Sequence, residues 1–96
     1  MRIVVVESHK FPFCDVWSNG IITRTFCNDV NEEELVWHRD HKDRFVRVKE
    51  GRGWKLQYDN ELPIELEPGK IYFIEKMTFH RVIQGEGKLI LEIKED

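Results

Sequence analysis

The chain has 96 residues, of which 41% are hydrophobic and 34% charged, and its formal net charge is −3. This length supports one domain with a single core, and acids and bases are interspersed, so no basic stripe points to a nucleic-acid partner. No apolar run reaches the length of a membrane span, and we expect a cytoplasmic protein without a membrane partner.

The two cysteines, Cys14 and Cys27, are too few for a disulfide framework and lack the spacing of a zinc site. A single bridge is one interpretation. Two buried free thiols in a reducing cytosol is the interpretation that we favour. The apolar run behind Met1 has no cleavage site after it, and it therefore predicts a strand and not a signal peptide.

Turn residues recur along the chain at the spacing typical of short strands in a sandwich or barrel. The β-branched run Arg2–Val6 predicts a strand that is covered on both faces. Lys10–Val16 contains a proline and predicts a loop or an edge strand. Asn19-Gly20 is typical of a tight hairpin, and Ile21–Phe26 predicts the strand that follows it.

The rest of the chain predicts further short strands. Asn28–Glu34 is acidic and rich in turn residues, and residues 94–96 predict a solvated tail. No window shows a sustained helical period, so we predict an all-β fold. The predicted strands are Leu35–Asp40, Arg44–Lys49, Trp54–Tyr58, Leu62–Leu66, Ile71–Glu75, Phe79–Ile83 and Leu89–Ile93.

Three polar side chains in the middle of the chain are evenly spaced, namely His38, Asp40 and Arg44. Because side chains on a strand return to the same face every second residue, these three can share a face. His80 lies alone near the start of a later predicted strand and can join them if the two segments are neighbours. A polar cluster inside an apolar barrel costs free energy unless its members are satisfied by partners.

The stretch of residues 68–84 resembles the second conserved motif of the cupin superfamily. In that motif a glycine is followed at fixed distances by proline, glycine, histidine and asparagine. The corresponding positions of this chain are Gly69, Glu75, Met77, His80 and Gln84. The first glycine and the histidine match, the glutamine is a near match, and the glutamate and methionine depart from the motif.

An earlier stretch resembles the first cupin motif, in which two histidines two residues apart precede a glutamate and a glycine. His38, Asp40, Arg44 and Gly51 fall in that register, with the histidine and the glycine identical. The sequence is also similar to small uncharacterised cupin-like proteins of bacteria and their phages.

The resemblance implies a small antiparallel double-stranded β-helix, the cupin jelly-roll barrel. It covers residues 35–93, so we predict one domain over residues 1–96 with a cupin core at 35–93. Residues 1–34 would supply N-terminal strands that are suited to pair across the two-fold axis of a homodimer.

The resemblance also implies a metal site, because cupins that bind metal hold a divalent ion at the matching positions with three histidines and a glutamate. The ligands here would be His38, Asp40 and His80, and the metal Fe, Zn, Ni or Mn. Two histidines and one carboxylate suit non-haem Fe(II) and leave positions open, and they also suit Zn²⁺ as a Lewis acid. The alternative is an ion pair between Asp40 and Arg44 in a metal-free barrel.

Arg44 stands where the family has its glutamate. A dication about 5 Å away would repel it by roughly 6 kcal/mol at an effective dielectric constant of about 20. The metal therefore requires Arg44 to turn away or an anionic ligand to lie between them, and we assign Arg44 to orienting that ligand. Gln84 lies on the face of His80 and either forms a hydrogen bond with the ligand or closes the rim of the barrel. With the first role, Arg44 and Gln84 are the predicted catalytic residues.

Two further residues have open assignments. His41 has the opposite strand parity to His38, and it replaces Asp40 as a ligand if the strand bulges there. Otherwise it is a surface histidine, which is the interpretation that we favour. Glu75 is either an acid or base at the barrel mouth or a solvated glutamate, and the solvated form is favoured.

The predicted function is binding of a small anionic molecule inside the barrel, with metal-dependent chemistry on it by a dioxygenase, isomerase or lyase. The alternatives are a metal-free ligand-binding or regulatory module and a structural dimer without a ligand. Because one fold hosts many functions, the site has to decide among them.

Overall fold

The computed structural model describes residues 4–6, 13–27 and 35–96. Over these ranges the regular structure consists of β-strands alone, which confirms the all-β prediction. None of these residues lies in a helix of the length and hydropathy needed to cross a membrane. The strands are β1 (Val4–Val6), β2 (Phe13–Ser18), β3 (Ile21–Phe26), β4 (Arg44–Arg52), β5 (Lys55–Tyr58), β6 (Ile64–Glu65), β7 (Ile71–Ile74), β8 (His80–Ile83) and β9 (Glu86–Glu95).

The strands form two antiparallel sheets. The larger has six strands in the order β1-β2-β3-β9-β4-β7, and the smaller has three in the order β6-β5-β8. Apolar side chains from both sheets meet in one core. The architecture is therefore the predicted jelly roll, although within the described ranges the ladders of the two sheets do not join into a closed barrel.

The core follows from the alternation of apolar residues along the strands. In β9 the odd-numbered residues Leu89, Leu91 and Ile93 point inward and are buried. Trp54, directly before β5, is fully buried, and its ring centroid lies 5.7 Å from that of Phe26 on the larger sheet. Because β3 pairs with β9 along its whole length, the N-terminal part of the chain packs into the same core as residues 35–93.

A two-residue turn connects β2 and β3, as the sequence predicts. Asn19 and Gly20 have φ angles of 52° and 77°, the left-handed conformation that a tight hairpin needs. The prediction of a loop or an edge strand at Lys10–Val16 is wrong for Asp15 and Val16, which lie in β2 and pair with both β1 and β3. Phe13 and Cys14 also lie in β2, but among the described residues they pair with β3 alone, and the rest of that segment lies outside the described residues.

The predicted strand Leu35–Asp40 is also wrong. This segment is irregular, and its one ladder contact is an isolated bridge between His38 and His80. β4 continues past the predicted end at Lys49, because register shifts on either side of Glu50 let the strand bend and go on to Arg52.

The C-terminal end and the cysteines differ from expectation too. Residues 94 and 95 belong to β9 and are not a solvated tail. Cys14 and Cys27 are free, as favoured, but Cys27 is exposed and Cys14 is only partly buried. Cys27 follows the last paired residue of β3, and none of the described strands pairs with it.

Candidate functional site

The segment before β4 lies against the loop between β7 and β8 and is fixed there by backbone hydrogen bonds. The amide of His38 donates to the carbonyl of His80 at 3.0 Å, and the amide of His80 donates back at 2.9 Å. The amide of Met77 donates to the carbonyl of Asp40 at 2.7 Å. Because the backbone is held at both points, the side chains of His38 and Asp40 meet that of His80, the first residue of β8, although their own segment is not a regular strand.

Each histidine of this cluster has one ring nitrogen committed to a carbonyl oxygen. His38 Nδ1 lies 3.0 Å from the carbonyl oxygen of Val36, and His80 Nδ1 lies 2.8 Å from that of Thr78. A carbonyl oxygen only accepts, so each Nδ1 carries a hydrogen and Nε2 of the neutral ring keeps its lone pair. The ring centroids are 4.3 Å apart. Metal-binding histidines are oriented by the same kind of second contact.

Asp40 places one carboxylate oxygen in the middle of this cluster. Its Oδ2 atom lies 3.2 Å from His80 Nε2 and 3.2 Å from Arg44 Nη1. The atom is buried, and among the described residues no group forms a well-aligned hydrogen bond with it. Since a buried acceptor without a hydrogen bond costs free energy, a cation between Asp40 and the histidines would stabilise the arrangement. One potential ligand atom from each of the three residues lies within 4.8 Å of the others.

The main partner of Arg44 is Glu95, which was predicted from the sequence to lie in a solvated tail. The Nε and Nη2 atoms of Arg44 lie 2.9 Å and 2.8 Å from Glu95 Oε2, and the two residues are register partners on β4 and β9. Arg44 lies beside Asp40 as strand parity predicts, but it stands between two carboxylates. With neutral histidines, this group of ionised side chains carries a net charge of −1.

The protonation states favour ligation. Burial raises the pKa of Asp40, but the contact with His80 and the charge of Arg44 outweigh it, so the pKa lies below its usual value. Burial lowers the pKa of His38, and the hydrogen bond with Val36 only partly opposes this. At neutral pH the aspartate is therefore ionised and His38 is neutral, which are the forms that bind metal.

A cavity of about 430 Å³ opens onto the cluster and lies between the two sheets. His38, Asp40, Arg44 and His80 line it at one point, and most of the remaining wall is apolar. A pocket with this volume, an apolar wall and a few convergent polar groups is of the kind that binds small molecules.

A second buried ion pair at the cavity was missed in the sequence. Arg24 lines the cavity and donates to Asp15 through Nε at 2.8 Å and Nη2 at 2.9 Å. Asp15 is 6% exposed, and the guanidinium lies 3.8 Å from the ring centroid of Phe13. The sequence could have predicted this pair from the hairpin at Asn19-Gly20, because a two-residue turn places residue 15 opposite residue 24.

Other predicted residues lie away from the cluster. His41 is exposed and outside the ligand group, so the structure brings Asp40 and not His41 to the two histidines. Glu75 is exposed, in line with the favoured solvated form. Gln84 is half-buried after the end of β8 and is not among the residues that line the cavity, so its catalytic role stays a prediction from the sequence.

Comparison of the sequence with protein-family models gave no match, and comparison with curated proteins gave none. The structure is similar to solved structures with the cupin fold. The Fe(II) form of HppE is 17% identical with a TM-score of 0.72, and the match covers 98% of this chain and 56% of HppE. KdgF from Halomonas sp. is 16% identical with a TM-score of 0.68, at 99% and 87% coverage.

A chain from the structures of the DMSP lyases RdDddP and RnDddQII is 15% identical with a TM-score of 0.65, at 81% and 39% coverage. This chain therefore spans about half of HppE and less of the lyase, whereas it spans most of KdgF. Structural similarity at such low sequence identity shows a shared fold and nothing more. The chain has the cupin fold, as its two sequence motifs imply.

Proposed function

We propose that this protein binds a divalent transition-metal ion with His38, Asp40 and His80 and acts with it on a small anionic molecule in the adjoining cavity. The observation that carries the proposal is the environment of Asp40 Oδ2, which is buried without a well-aligned hydrogen bond. It faces a His80 Nε2 atom whose ring donates through its other nitrogen. When the ring is neutral, the lone pairs of these two atoms repel each other, and a proton or a metal ion between them removes the repulsion.

The donor set fits a transition metal better than a hard cation. Two imidazoles and one carboxylate form the triad that suits non-haem Fe(II), and Zn²⁺, Ni²⁺ and Mn²⁺ also accept nitrogen and oxygen ligands. A bound ion would supply a positive charge and open coordination positions. The Fe(II) form of HppE, which has the same fold, supports a metal at this place.

The charge of the cluster supports an anionic ligand only when the metal is bound. Without metal the cluster of Asp40, Arg44 and Glu95 carries −1 and repels an anion. A dication changes this to +1, which one negative charge on a ligand would neutralise. The apolar wall would then hold the ligand's carbon skeleton. Electrostatics therefore favours the metal-dependent function over a metal-free module for anions.

Metal content of protein purified without a histidine tag tests the proposal. We expect one equivalent of metal on titration with Fe(II) under anaerobic conditions, or with Zn²⁺, Ni²⁺ or Mn²⁺ in air. His80→Ala should abolish stoichiometric uptake. The matched control is His41→Ala, which removes an exposed histidine outside the cluster and should bind as the wild type does. A wild-type protein that takes up none of these ions would contradict the proposal and favour a metal-free module.

A further inference from the structure

We infer that Glu95, the last residue of β9, is a positioning residue for the metal centre, because it binds two of the three guanidinium nitrogens of Arg44 and so leaves Asp40 able to ligate the ion. This inference rests on the metal site proposed above. It concerns a residue that neither cupin motif contains.

The contacts of Arg44 are unequal. Two of its guanidinium nitrogens, Nε and Nη2, are directed to Glu95 Oε2 at 2.9 Å and 2.8 Å. The remaining nitrogen, Nη1, approaches Asp40 Oδ2 only to 3.2 Å and without the alignment of a hydrogen bond. Glu95 is therefore the main partner of Arg44, and Asp40 is the secondary one.

The backbone holds Glu95 in this role. Arg44 and Glu95 are opposite each other in the ladder between β4 and β9. The next residue, Asp96, donates its amide to the carbonyl of Asp43 at 3.0 Å, which ties the end of the chain to the residue before β4. The pair is also mostly buried, with the two side chains 14% and 22% exposed. A carboxylate held in this way neutralises Arg44 without being part of the ligand group.

Removal of the Glu95 charge would have two consequences for the site. Arg44 would carry an uncompensated positive charge beside the ion, and like charges at this distance repel. Its planar fork would also be free to form a bidentate pair with Asp40, the geometry in which an arginine binds a carboxylate most strongly. Both effects compete with the metal for the same carboxylate. Loss of groups that orient a metal ligand typically lowers metal affinity about 10- to 100-fold.

Calorimetric titration with Zn²⁺ and Ni²⁺ tests the inference in four full-length variants. Glu95→Gln should weaken metal binding about 10- to 100-fold, and Arg44→Met should not weaken it. The double variant Arg44→Met/Glu95→Gln should return to within about threefold of the wild type, because the two charges are removed together. The matched control is Glu92→Gln, which alters another glutamate of β9 that pairs with Lys49 at 4.0 Å and should leave metal affinity unchanged.

The double variant separates positioning from a structural role. If Glu95 only stabilised the end of β9, its loss would weaken metal binding whether or not Arg44 is present, and that result would overturn the inference. Equal metal affinity in Glu95→Gln and the wild type would also overturn it while leaving the proposed function intact. A wild type that binds no metal would overturn both.

A second variant keeps the inference testable if Glu95→Gln does not fold. Glu95→Asp keeps the charge and shortens the side chain by one methylene, so the carboxylate is drawn back from Arg44. Its metal affinity should fall by less than about tenfold. An affinity equal to that of the wild type would contradict the inference.

Discussion

Asp40 and His80 meet at 3.2 Å through Oδ2 and Nε2, while the other ring nitrogen of His80 lies 2.8 Å from the carbonyl oxygen of Thr78. The carbonyl accepts the hydrogen of Nδ1, so a neutral ring turns a lone pair towards the carboxylate, whereas a protonated ring would donate to it from Nε2. In a ligand set these two acceptors would share one cation. In a metal-free barrel Asp40 would instead pair with Arg44, whose Nη1 atom lies 3.2 Å from the same oxygen.

Asp40→Asn tests this relationship directly. The asparagine amide can donate a hydrogen bond to His80 Nε2. Without metal, the free energy of unfolding of the variant should therefore lie within about 1 kcal/mol of the wild-type value. Its metal affinity should fall steeply, because a neutral amide replaces the carboxylate ligand. Urea unfolding with and without Zn²⁺ measures both effects, since a ligand that binds only the folded state raises its stability.

Asp43→Asn is the matched control for this substitution. Asp43 Oδ1 accepts a hydrogen bond from the amide of Lys76 at 2.8 Å, and an asparagine side-chain oxygen can accept the same bond. Zn²⁺ should therefore stabilise Asp43→Asn as much as the wild type. An equal stabilisation of Asp40→Asn would show that the carboxylate is not a ligand.

The pH dependence of the metal-free protein should report on His38. Its pKa is lowered below 6.5 in the folded state, first of all by burial. The unfolded chain therefore binds more protons between the folded pKa and 6.5, and the free energy of unfolding rises with pH across this window. The stability is fully present above 6.5 and is lost as the pH falls to the folded pKa.

Urea titrations in the presence of a chelator, between roughly pH 5 and pH 7.5, measure this slope. His38→Gln should flatten it, and His41→Gln, which changes an exposed histidine, should leave it as in the wild type. Asp40 contributes at lower pH. Because its folded pKa is also lowered, its contribution is present above 3.8 and is lost as the pH falls through the folded value. An unchanged slope in His38→Gln would contradict the assignment.

The buried pair of Asp15 and Arg24 predicts a non-additive effect on stability. Asp15→Ala leaves the arginine without its partner at a site where the side chains are 8% and 12% exposed, and it should cost about 3–5 kcal/mol. Replacing both residues together by Leu and Met should cost much less, because no unpaired charge remains. A double-mutant cycle by urea unfolding measures the difference. Additive costs would show that the pair is not a stabilising unit.

The homodimer predicted from the sequence stays a prediction, and the structure offers a surface for it. Among the described strands β7 lies at the edge of the larger sheet, with Ile71 65% and Phe73 47% exposed, and the ring of Phe73 lies 5.1 Å from that of Phe45. Edge strands with exposed apolar side chains are prone to pair with a second copy. Light scattering should show a dimer at micromolar concentration and a monomer for Ile71→Lys. Leu62→Lys, which changes a residue 85% exposed outside the strands, is the control. A monomeric wild type would refute the dimer.

The even spacing along the sequence correctly predicted that His38, Asp40 and Arg44 lie together, but it did not predict the backbone contacts that bring them together. The even spacing of His38, Asp40 and Arg44 implied one strand face, whereas two of them lie on an irregular segment that is fixed by an isolated bridge. The hydrogen bond from Met77 to the carbonyl of Asp40 depends on a turn nearly forty residues away, and local propensity does not describe it.

Glu95 was missed for a related reason. Charged residues near a chain end are typical of a solvated tail, and only the register of β9 against β4 shows that Glu95 lies opposite Arg44. That register contains two shifts, on either side of Glu50, which no sequence pattern marks. Asp15 and Arg24, in contrast, lie opposite each other across a turn that the sequence does predict.

Met77 occupies the place where the second cupin motif has its central glycine. Its φ angle is +64°, in the left-handed region that side chains with a Cβ atom disfavour. Left-handed backbone costs an ordinary residue about 1–2 kcal/mol, and glycine avoids this cost but loses more conformational entropy on folding. Met77→Gly should therefore raise the free energy of unfolding by up to about 1 kcal/mol.

The adjacent Lys76→Gly is the matched control for Met77→Gly. Lys76 is in the same turn but is not among the residues with positive φ, so glycine relieves no strain there and should destabilise the protein by about 0.5–1 kcal/mol. Urea unfolding of the two variants without metal gives the comparison. The amide of residue 77 still donates to Asp40 in Met77→Gly, so metal affinity should stay as in the wild type. Equal destabilisation by both substitutions would mean that the methionine is not strained and that the motif's glycine serves another purpose in this fold.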